Sequence, residues 1–378
     1  MTNYIKGLDG LRGIAIILVM LFHFRLYDFG EIGISVGWVG VQLFFVLSGF
    51  LITRILLADR AHSLSAYLKK FYWRRSLRIF PLYYAYLLVL TLAFVFVGFP
   101  PELGEKSPWL YTYTYNYTRL SPEWTHSIFF THMWSLSVEE QFYLIWPLFI
   151  FFVRGRSLKV ALLAIIVLAP AFRGILAAYL QQQTSLDPRA IGEAVYWFTL
   201  SHFDAFATGG AVAVFRLDER IKRPGAICGA WLIVVILVGL ANLIVLPHSI
   251  PLDPSSLGYP IASLENGQHI WSYSLLNGFF AALILWISTA SVKIFRTSFL
   301  VAIGKVSYGM YVFHWAILGA FNQSVGTRLS SSLLSFVVYF CGVYIFSWIS
   351  YRFFEQYFLK LKNQISVPPT TGSLAEGT

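Results

Sequence analysis

Charged residues and cysteines are scarce in this chain of 378 residues. Only 12% of the residues are charged and 57% are hydrophobic, whereas a soluble domain carries about 25% charged residues. This composition excludes an ordinary soluble domain and indicates a membrane protein. The two cysteines, Cys228 and Cys341, lie in apolar runs and are too few for a disulfide framework or a zinc cluster.

Several motifs of common chemistry are missing as well. The sequence has no Gly-rich phosphate loop, no His-Glu-x-x-His site and no Gly-x-Ser-x-Gly elbow, and we expect no bound metal. The formal charge is +10, but basic and aromatic residues are not interleaved on a polar face, so nucleic-acid binding has no support. The excess of Lys and Arg is more typical of the cytoplasmic loops of membrane proteins.

Long apolar windows recur along the chain, each close to the roughly 20 residues that a helix needs to cross a bilayer. They predict an all-α membrane protein with about ten transmembrane helices in one bundle. The predicted spans are approximately Leu8 to Phe24, Ile34 to Leu56, Phe80 to Phe99, Trp134 to Val153, Val160 to Leu180, Ala194 to Phe215, Ala226 to Val245, Ile270 to Ser291, Phe299 to Phe321 and Leu333 to Tyr351.

The loops predict the orientation, because cytoplasmic loops carry most of the Lys and Arg. With the N-terminus inside, 18 of the 28 Lys and Arg fall in inner segments and five in outer loops, which fits an even number of spans with both termini cytoplasmic. We expect residues 1–360 to form one membrane domain and 361–378 a short disordered cytoplasmic tail. The longest outer loop, Pro100 to about Met133, is expected to fold back over the spans.

Ionisable residues inside spans are costly and often functional. Arg12 and His23 lie eleven residues apart in the first span, which places them on nearly one helix face and roughly 16 Å apart along the axis. Arg12 lies near the cytoplasmic side and His23 deeper. The alternative is an Arg that extends to the interface and a hydrogen-bonded structural His.

Three arginines, Arg74, Arg75 and Arg78, stand at the inner mouth of the third span. Residues three and four apart project from one side of a helix, so the three guanidinium groups can share a face. Such planar donors suit phosphate oxygens. An ordinary positive anchor at the cytoplasmic interface is the alternative.

A polar run precedes the apolar part of the fourth span and contains Glu139, Glu140 and Tyr143. Glu139 and Tyr143 share a helix face, and Glu140 is displaced by about 100°. A carboxylate here can orient an imidazole or take a proton itself, or it can simply cap an interfacial helix. Further candidates for a polar interior are Asp204 in the sixth span and Ser307 and His314 in the ninth, which could equally form a structural hydrogen-bond network.

The order of motifs along the chain resembles that of the integral-membrane acyltransferase family 3, which includes bacterial O-acetylases of cell-envelope glycans. The motifs that carry the resemblance are Leu-Asp-Gly-Leu-Arg12-Gly with His23, Phe45-Val-Leu-Ser48-Gly-Phe-Leu-Ile, Arg75-Ser-Leu-Arg78-Ile-Phe-Pro, Trp134-Ser-Leu-Ser-Val-Glu139-Glu-Gln-Phe-Tyr143, Ser307-Tyr and His314-Trp. They run nearly from end to end, and the family's ten-span core agrees with the number of windows.

The resemblance implies transfer of an acyl group, commonly acetyl, from cytoplasmic acyl-CoA to a hydroxyl of a carbohydrate. The family's Arg-x10-His pair maps onto Arg12 and His23, and its Arg-x-x-Arg onto Arg75 and Arg78. We expect His23 to act as general base, Arg12 to position the donor or polarise the thioester, and Glu139 to orient His23 or complete a proton path. Acyl-CoA is expected as a substrate, with no permanently bound cofactor.

Two other classes of function remain open from the residues alone. A transporter would use the same intramembrane Arg, His, Asp and Glu as a substrate or proton path, and a membrane scaffold would need them only for structure. The enzyme interpretation expects acyl-CoA, a carbohydrate acceptor and the lipid bilayer as partners, with envelope-biosynthesis proteins or a second copy as further candidates. The expected location is the bacterial cytoplasmic (inner) membrane, and neither the acyl group nor the acceptor is specified by the sequence.

Overall fold

The computed structural model describes residues 4–25, 33–324 and 332–362. Within these ranges the chain is helical and contains no strand. Most of the predicted tail, from residue 363 onward, lies outside the described residues. A π-helical turn, Tyr351–Glu355, joins the last two helices. The helices are α1 (Lys6–Arg25), α2 (Val39–Asp59), α3 (Leu64–Val97), α4 (Leu103–Tyr111), α5 (Met133–Phe152), α6 (Gly155–Gln183), α7 (Pro188–Trp197), α8 (Phe203–Val214), α9 (Leu217–Arg220), α10 (Pro224–Ile244), α11 (Gln268–Thr289), α12 (Ser298–Ser324), α13 (Ser332–Ser350) and α14 (Gln356–Leu361).

Seven helical segments are long and apolar enough to cross a membrane: Lys6–Phe24, Ser35–Asp59, Leu64–Val97, Gly155–Gln183, Pro224–Ile244, Glu265–Thr289 and Ser332–Leu361. The spans predicted around α5 and α12 are absent from this set, because polar residues such as Glu139 and His314 lower their mean hydropathy. The span predicted at Ala194–Phe215 is broken, since the chain leaves the helical conformation at Phe198 (φ −69°, ψ 130°) between α7 and α8. Beyond these seven segments, the count of ten and the orientation of the termini stay predictions.

The third predicted span is longer than its apolar window. Helix α3 has 34 residues and begins at Leu64, where the hydroxyl of Ser63 accepts a hydrogen bond from the amide of Ala66. This bond satisfies one of the free amide groups at the start of the helix. The three arginines predicted at the mouth of the span therefore lie within one continuous helix, and their spacing on a common face is maintained.

Two pairs of helices pack with their backbones in close approach. A side chain at Gly304 of α12 would overlap the carbonyl of Asp9 in α1, and one at Gly10 would overlap the carbonyl of Phe295. In the same way Gly49 of α2 leaves room for the backbone of α8. Glycines permit this close approach of two helix backbones, and helices that pack in a membrane often use small residues in this way. The Leu-Asp-Gly-Leu-Arg-Gly motif thus presses α1 against α12 and places Arg12 and His23 beside it.

The long connection after α3 folds back over the helices, as expected: Asn116 bonds α7, Ser127 bonds α12, and the first part runs along α3. The hydroxyl of Tyr83 in α3 donates to the carbonyl of Leu110 at 2.8 Å, at the end of α4. The ring of Tyr113 then stacks on that of Tyr83, with centroids 4.2 Å apart. Tyr113 has a positive φ of 54°, which marks the sharp turn at which the chain reverses. The connection therefore contributes residues beside the middle of α3.

Candidate active site

A pair of histidines joins α1 to α12. The Nδ1 atom of His23 and the Nε2 atom of His314 are 2.9 Å apart. The Nδ1 atom of His314 lies 2.7 Å from the carbonyl oxygen of Tyr311, which can only accept a hydrogen bond. His314 therefore carries its proton on Nδ1, and its Nε2 accepts from the Nδ1–H of His23. A neutral His23 is left with its free lone pair on Nε2, which is the form that a general base requires.

The surroundings of this pair hold both rings in place. The ring of Trp315 contacts His23 edge to face, with centroids 4.2 Å apart, and the ring of His132 lies 5.0 Å from that of His314. His132 and His314 are fully buried, while His23 is only partly covered. The hydroxyl of Tyr311 donates to the carbonyl of His132 at 3.0 Å. His23 is thus the least buried of the three histidines in this aromatic cluster.

Arg12 lies on the same helix as His23, roughly 16 Å away along the axis. Its Nη1 atom donates to Oδ1 of Asp9 at 2.6 Å, and the hydroxyl of Tyr4 donates to Oδ2 of the same carboxylate at 2.5 Å. Asp9 is buried, whereas the side chain of Arg12 keeps 24% of its surface exposed. The ion pair with Asp9 orients Arg12, and the guanidinium stays accessible to solvent and to a ligand.

The arginines of α3 lie close to Arg12 at one end of the bundle. Arg78 lies close enough to Arg12 and Arg75 to be repelled by both, and it is attracted by Glu355 in the π-helical turn. The guanidinium carbon of Arg75 stands 4.2 Å from the centroid of the Tyr143 ring, a cation–π contact. Like charges converge here in a partly buried position, which is typical of a site for a polyvalent anion.

Lys362, which lies in the predicted tail, adds a further cation. It follows α14, which packs on α3, and it is partly buried. Burial, followed by repulsion from its cationic neighbours, lowers the pKa of Lys362 to about 8 from its ordinary 10.5. These neighbours are Arg78, Arg74, Arg75 and Arg12. No sequence signal marks Lys362, because the fold alone brings the end of α14 to the arginines. These five residues are called the basic mouth below.

Glu139 does not contact His23 in the described structure. Its Oε1 accepts hydrogen bonds from the hydroxyl of Ser48 at 2.5 Å and from that of Tyr143, and these two hydroxyls are 3.2 Å apart. The expectation that Glu139 orients His23 is therefore replaced: His314 makes that contact. Glu139, Ser48 and Tyr143 form a separate polar cluster next to Arg75.

Asp204 has a structural position, apart from the histidine pair. It forms an ion pair with Arg173 at 3.0 Å, and both side chains are completely buried. Arg173 also donates to the carbonyls of Ser201 and Ile270, each at 2.7 Å. This network ties α6, α8 and α11 together.

Ser307, another candidate for the polar interior, bonds within its own helix. Its hydroxyl donates to the carbonyl of Gly304 at 3.0 Å, one turn earlier in α12. Of the further candidates, the structure places His314 directly on His23 and Tyr143 beside Arg75. Asp204 belongs to the network that ties three helices together, and Ser307 bonds only within α12.

Sequence comparisons identify the family of the chain and several of its relatives. A family model described as "Acyltransferase domain" matches residues 5–352. The O-acetyltransferase OatA of Staphylococcus aureus, in strain NCTC 8325 / PS 47 and in strain COL, is 27% identical over 366 residues, which is 93% of this chain and 57% of the relative. The chain thus spans somewhat more than half the length of the curated relatives it matches. No solved structure gives a significant match.

The apolar helical segments and the family match together place the chain among the membrane proteins of an acyltransferase family. Within that class, the chain belongs to acyltransferase family 3, whose model covers almost the whole sequence.

Proposed function

We propose that the chain transfers an acyl group, most simply acetyl, from cytoplasmic acyl-CoA to a hydroxyl of a carbohydrate, with His23 as general base. The observation that carries the proposal is the chain of hydrogen bonds from His23 through His314 to the carbonyl of Tyr311. In this tautomer the lone pair of His23 lies on Nε2, the atom proposed to take the proton. The relatives named O-acetyltransferase support the same reaction class.

The proposed reaction needs a donor that reaches from the basic mouth to His23. The anionic phosphates of acyl-CoA suit Arg74, Arg75 and Arg78, and the thioester arm extends past Arg12 toward the histidine pair. Arg12 is assigned to the donor, where its guanidinium positions the arm or polarises the thioester oxygen.

In the chemical step, Nε2 of His23 takes the proton of the acceptor hydroxyl while the oxygen attacks the thioester carbonyl. The carbon–sulfur bond then breaks, the CoA sulfur leaves, and the proton on His23 passes to it. The products are the O-acyl ester and free CoA. Glu139 is proposed to act in a proton path with Ser48 and Tyr143. The proposed acceptor is an envelope polysaccharide, a lipid-linked sugar or an oligosaccharide.

The membrane arrangement proposed with this function has ten crossings, both termini cytoplasmic and the bacterial inner membrane as its location. The seven apolar segments are then supplemented by α5, by α7 and α8 together, and by α12. This arrangement places the basic mouth on the side where acyl-CoA is available, and the excess of Lys and Arg in the inner segments supports it.

The test uses purified protein in liposomes with radiolabelled acetyl-CoA. We expect the wild type to consume the donor, His23→Ala to lose turnover, and Arg75→Ala/Arg78→Ala to need much more donor. The matched control is Arg154→Ala/Arg156→Ala, which removes the same charge from exposed inner positions. A folded wild type that neither binds nor consumes acetyl-CoA contradicts the donor assignment. Solute uptake by these vesicles without acyl-CoA would then favour a transporter.

A further inference from the structure

A cavity of about 210 Å³ lies beside the basic mouth, between α3, α5 and the turn at Tyr113. Its size is above that of a roughly 150 Å³ cavity that admits benzene and below the roughly 300–1,000 Å³ of most ligand pockets. One ring system therefore fills it. Four aromatic side chains line it, together with Arg75, Glu140 and Gln141. The aromatic residues are Tyr72, Phe80, Tyr113 and Tyr143.

Two polar atoms in this lining are buried without a partner among the described residues. They are the hydroxyl of Tyr113, whose side chain is 7% exposed, and Oε1 of Glu140. An unpaired buried polar atom costs free energy, and such atoms are rare in folded proteins. Tyr113 and Glu140 both line the cavity, so one unpaired donor and one unpaired acceptor belong to residues of its wall. A ligand with a neighbouring acceptor and donor on one edge would satisfy both.

The cavity lies too far from His23 to hold the reacting hydroxyl of the acceptor sugar. Glu140 lies eight residues beyond His132, which is about 12 Å along α5 from the histidine pair. On α12, Tyr308 donates to the carbonyl of Ile79 at 2.8 Å, next to the cavity. His314 lies six residues further, about 9 Å away. A hydroxyl held in the cavity is therefore out of hydrogen-bond reach of His23.

We propose that this cavity binds the adenine ring of the acyl-CoA donor, an inference that rests on the proposed function. Adenine is a single flat ring system that stacks on aromatic faces. Its exocyclic amino group donates to Glu140, and the adjacent ring nitrogen N1 accepts from the hydroxyl of Tyr113. Arg75 joins the cavity to the basic mouth, so a base in the cavity and phosphates on the arginines belong to one molecule.

The experiment compares CoA with 1,N6-etheno-CoA, which keeps every phosphate and the ring stack but blocks the amino group and N1. Dissociation constants are measured by calorimetry on the purified protein in nanodiscs. We expect the wild type to bind CoA about tenfold more tightly than etheno-CoA, the effect of one or two hydrogen bonds. In Tyr113→Phe and in Glu140→Leu, the ratio of the two constants should fall toward one.

The control variant is Tyr111→Phe, in which the lost hydroxyl bonds Thr91 on the outer face of α3 and not the cavity. It should keep the wild-type ratio. Tyr113→Phe should also keep or raise Tm, because the hydroxyl it removes has no partner in the described structure. Equal binding of CoA and etheno-CoA by the wild type overturns the adenine assignment alone, as does an unchanged ratio in Tyr113→Phe. Absence of any CoA binding overturns the proposed donor and this inference together.

Discussion

Replacement of His314 tests whether this residue positions the base. In His314→Phe a ring of similar size fills a fully buried position, but Nδ1–H of His23 loses its acceptor. A neutral hydrogen bond contributes about 0.5–1.5 kcal/mol. Since roughly 1.4 kcal/mol is a factor of ten in rate, kcat should fall by about 2- to 12-fold. Loss of the base itself, in His23→Ala, should cost roughly 10²- to 10⁴-fold.

The matching variant is His314→Gln, whose amide oxygen can accept the same hydrogen bond and should restore part of kcat. The structural control is Tyr339→Phe, which removes a 3.2 Å bond to the backbone carbonyl of His314 and leaves the imidazole pair intact. It should lower stability by about 1 kcal/mol without changing kcat. The assay is the release of CoA from acetyl-CoA with the KM for donor determined in parallel. A folded His314→Phe with the wild-type kcat, or with a changed donor KM alone, would refute the positioning role.

Two further predictions concern the buried ion pair and the basic mouth. Asp204→Ala leaves Arg173 as an uncompensated buried charge, so unfolding in detergent should require about 3–5 kcal/mol less; a Tm equal to that of the wild type would show that the pair is not structural. Lys362→Gln should raise the KM for acetyl-CoA several-fold, whereas Lys360→Gln on the exposed side of α14 should not. The pKa of about 8 means that Lys362 loses its charge as pH rises through this value, so donor affinity should weaken above pH 8 in the wild type and less so in Lys362→Gln. Because the pKa of Lys362 is lower in the folded protein than in the unfolded chain, its charged form destabilises the fold below about pH 8. This destabilisation disappears as pH rises from about 8 toward 10.5.

Hydropathy and loop charge are local properties, and for this reason the sequence predicted much of the architecture. Seven of the predicted spans correspond to helices that are long and apolar enough to cross a membrane. The break at Phe198 was not visible, because the apolar character of the chain continues across it. The early start of α3 was likewise hidden, since the polar residues from Leu64 onward lower the hydropathy without interrupting the helix.

The sequence by itself determined the class of the protein, its family and the residues that carry the motifs, because composition and spacing are written in the chain. Only the tertiary structure decided their partners. It brought His23 into hydrogen-bond contact with His314, 291 positions away in the sequence. It also made Ser48 and Tyr143 the hydrogen-bond partners of Glu139. It also brought Lys362 to the arginines of α3. Hydrogen bonds between distant residues depend on how helices pack, and the close backbone contact at Gly304 is one of the features that fixes this packing.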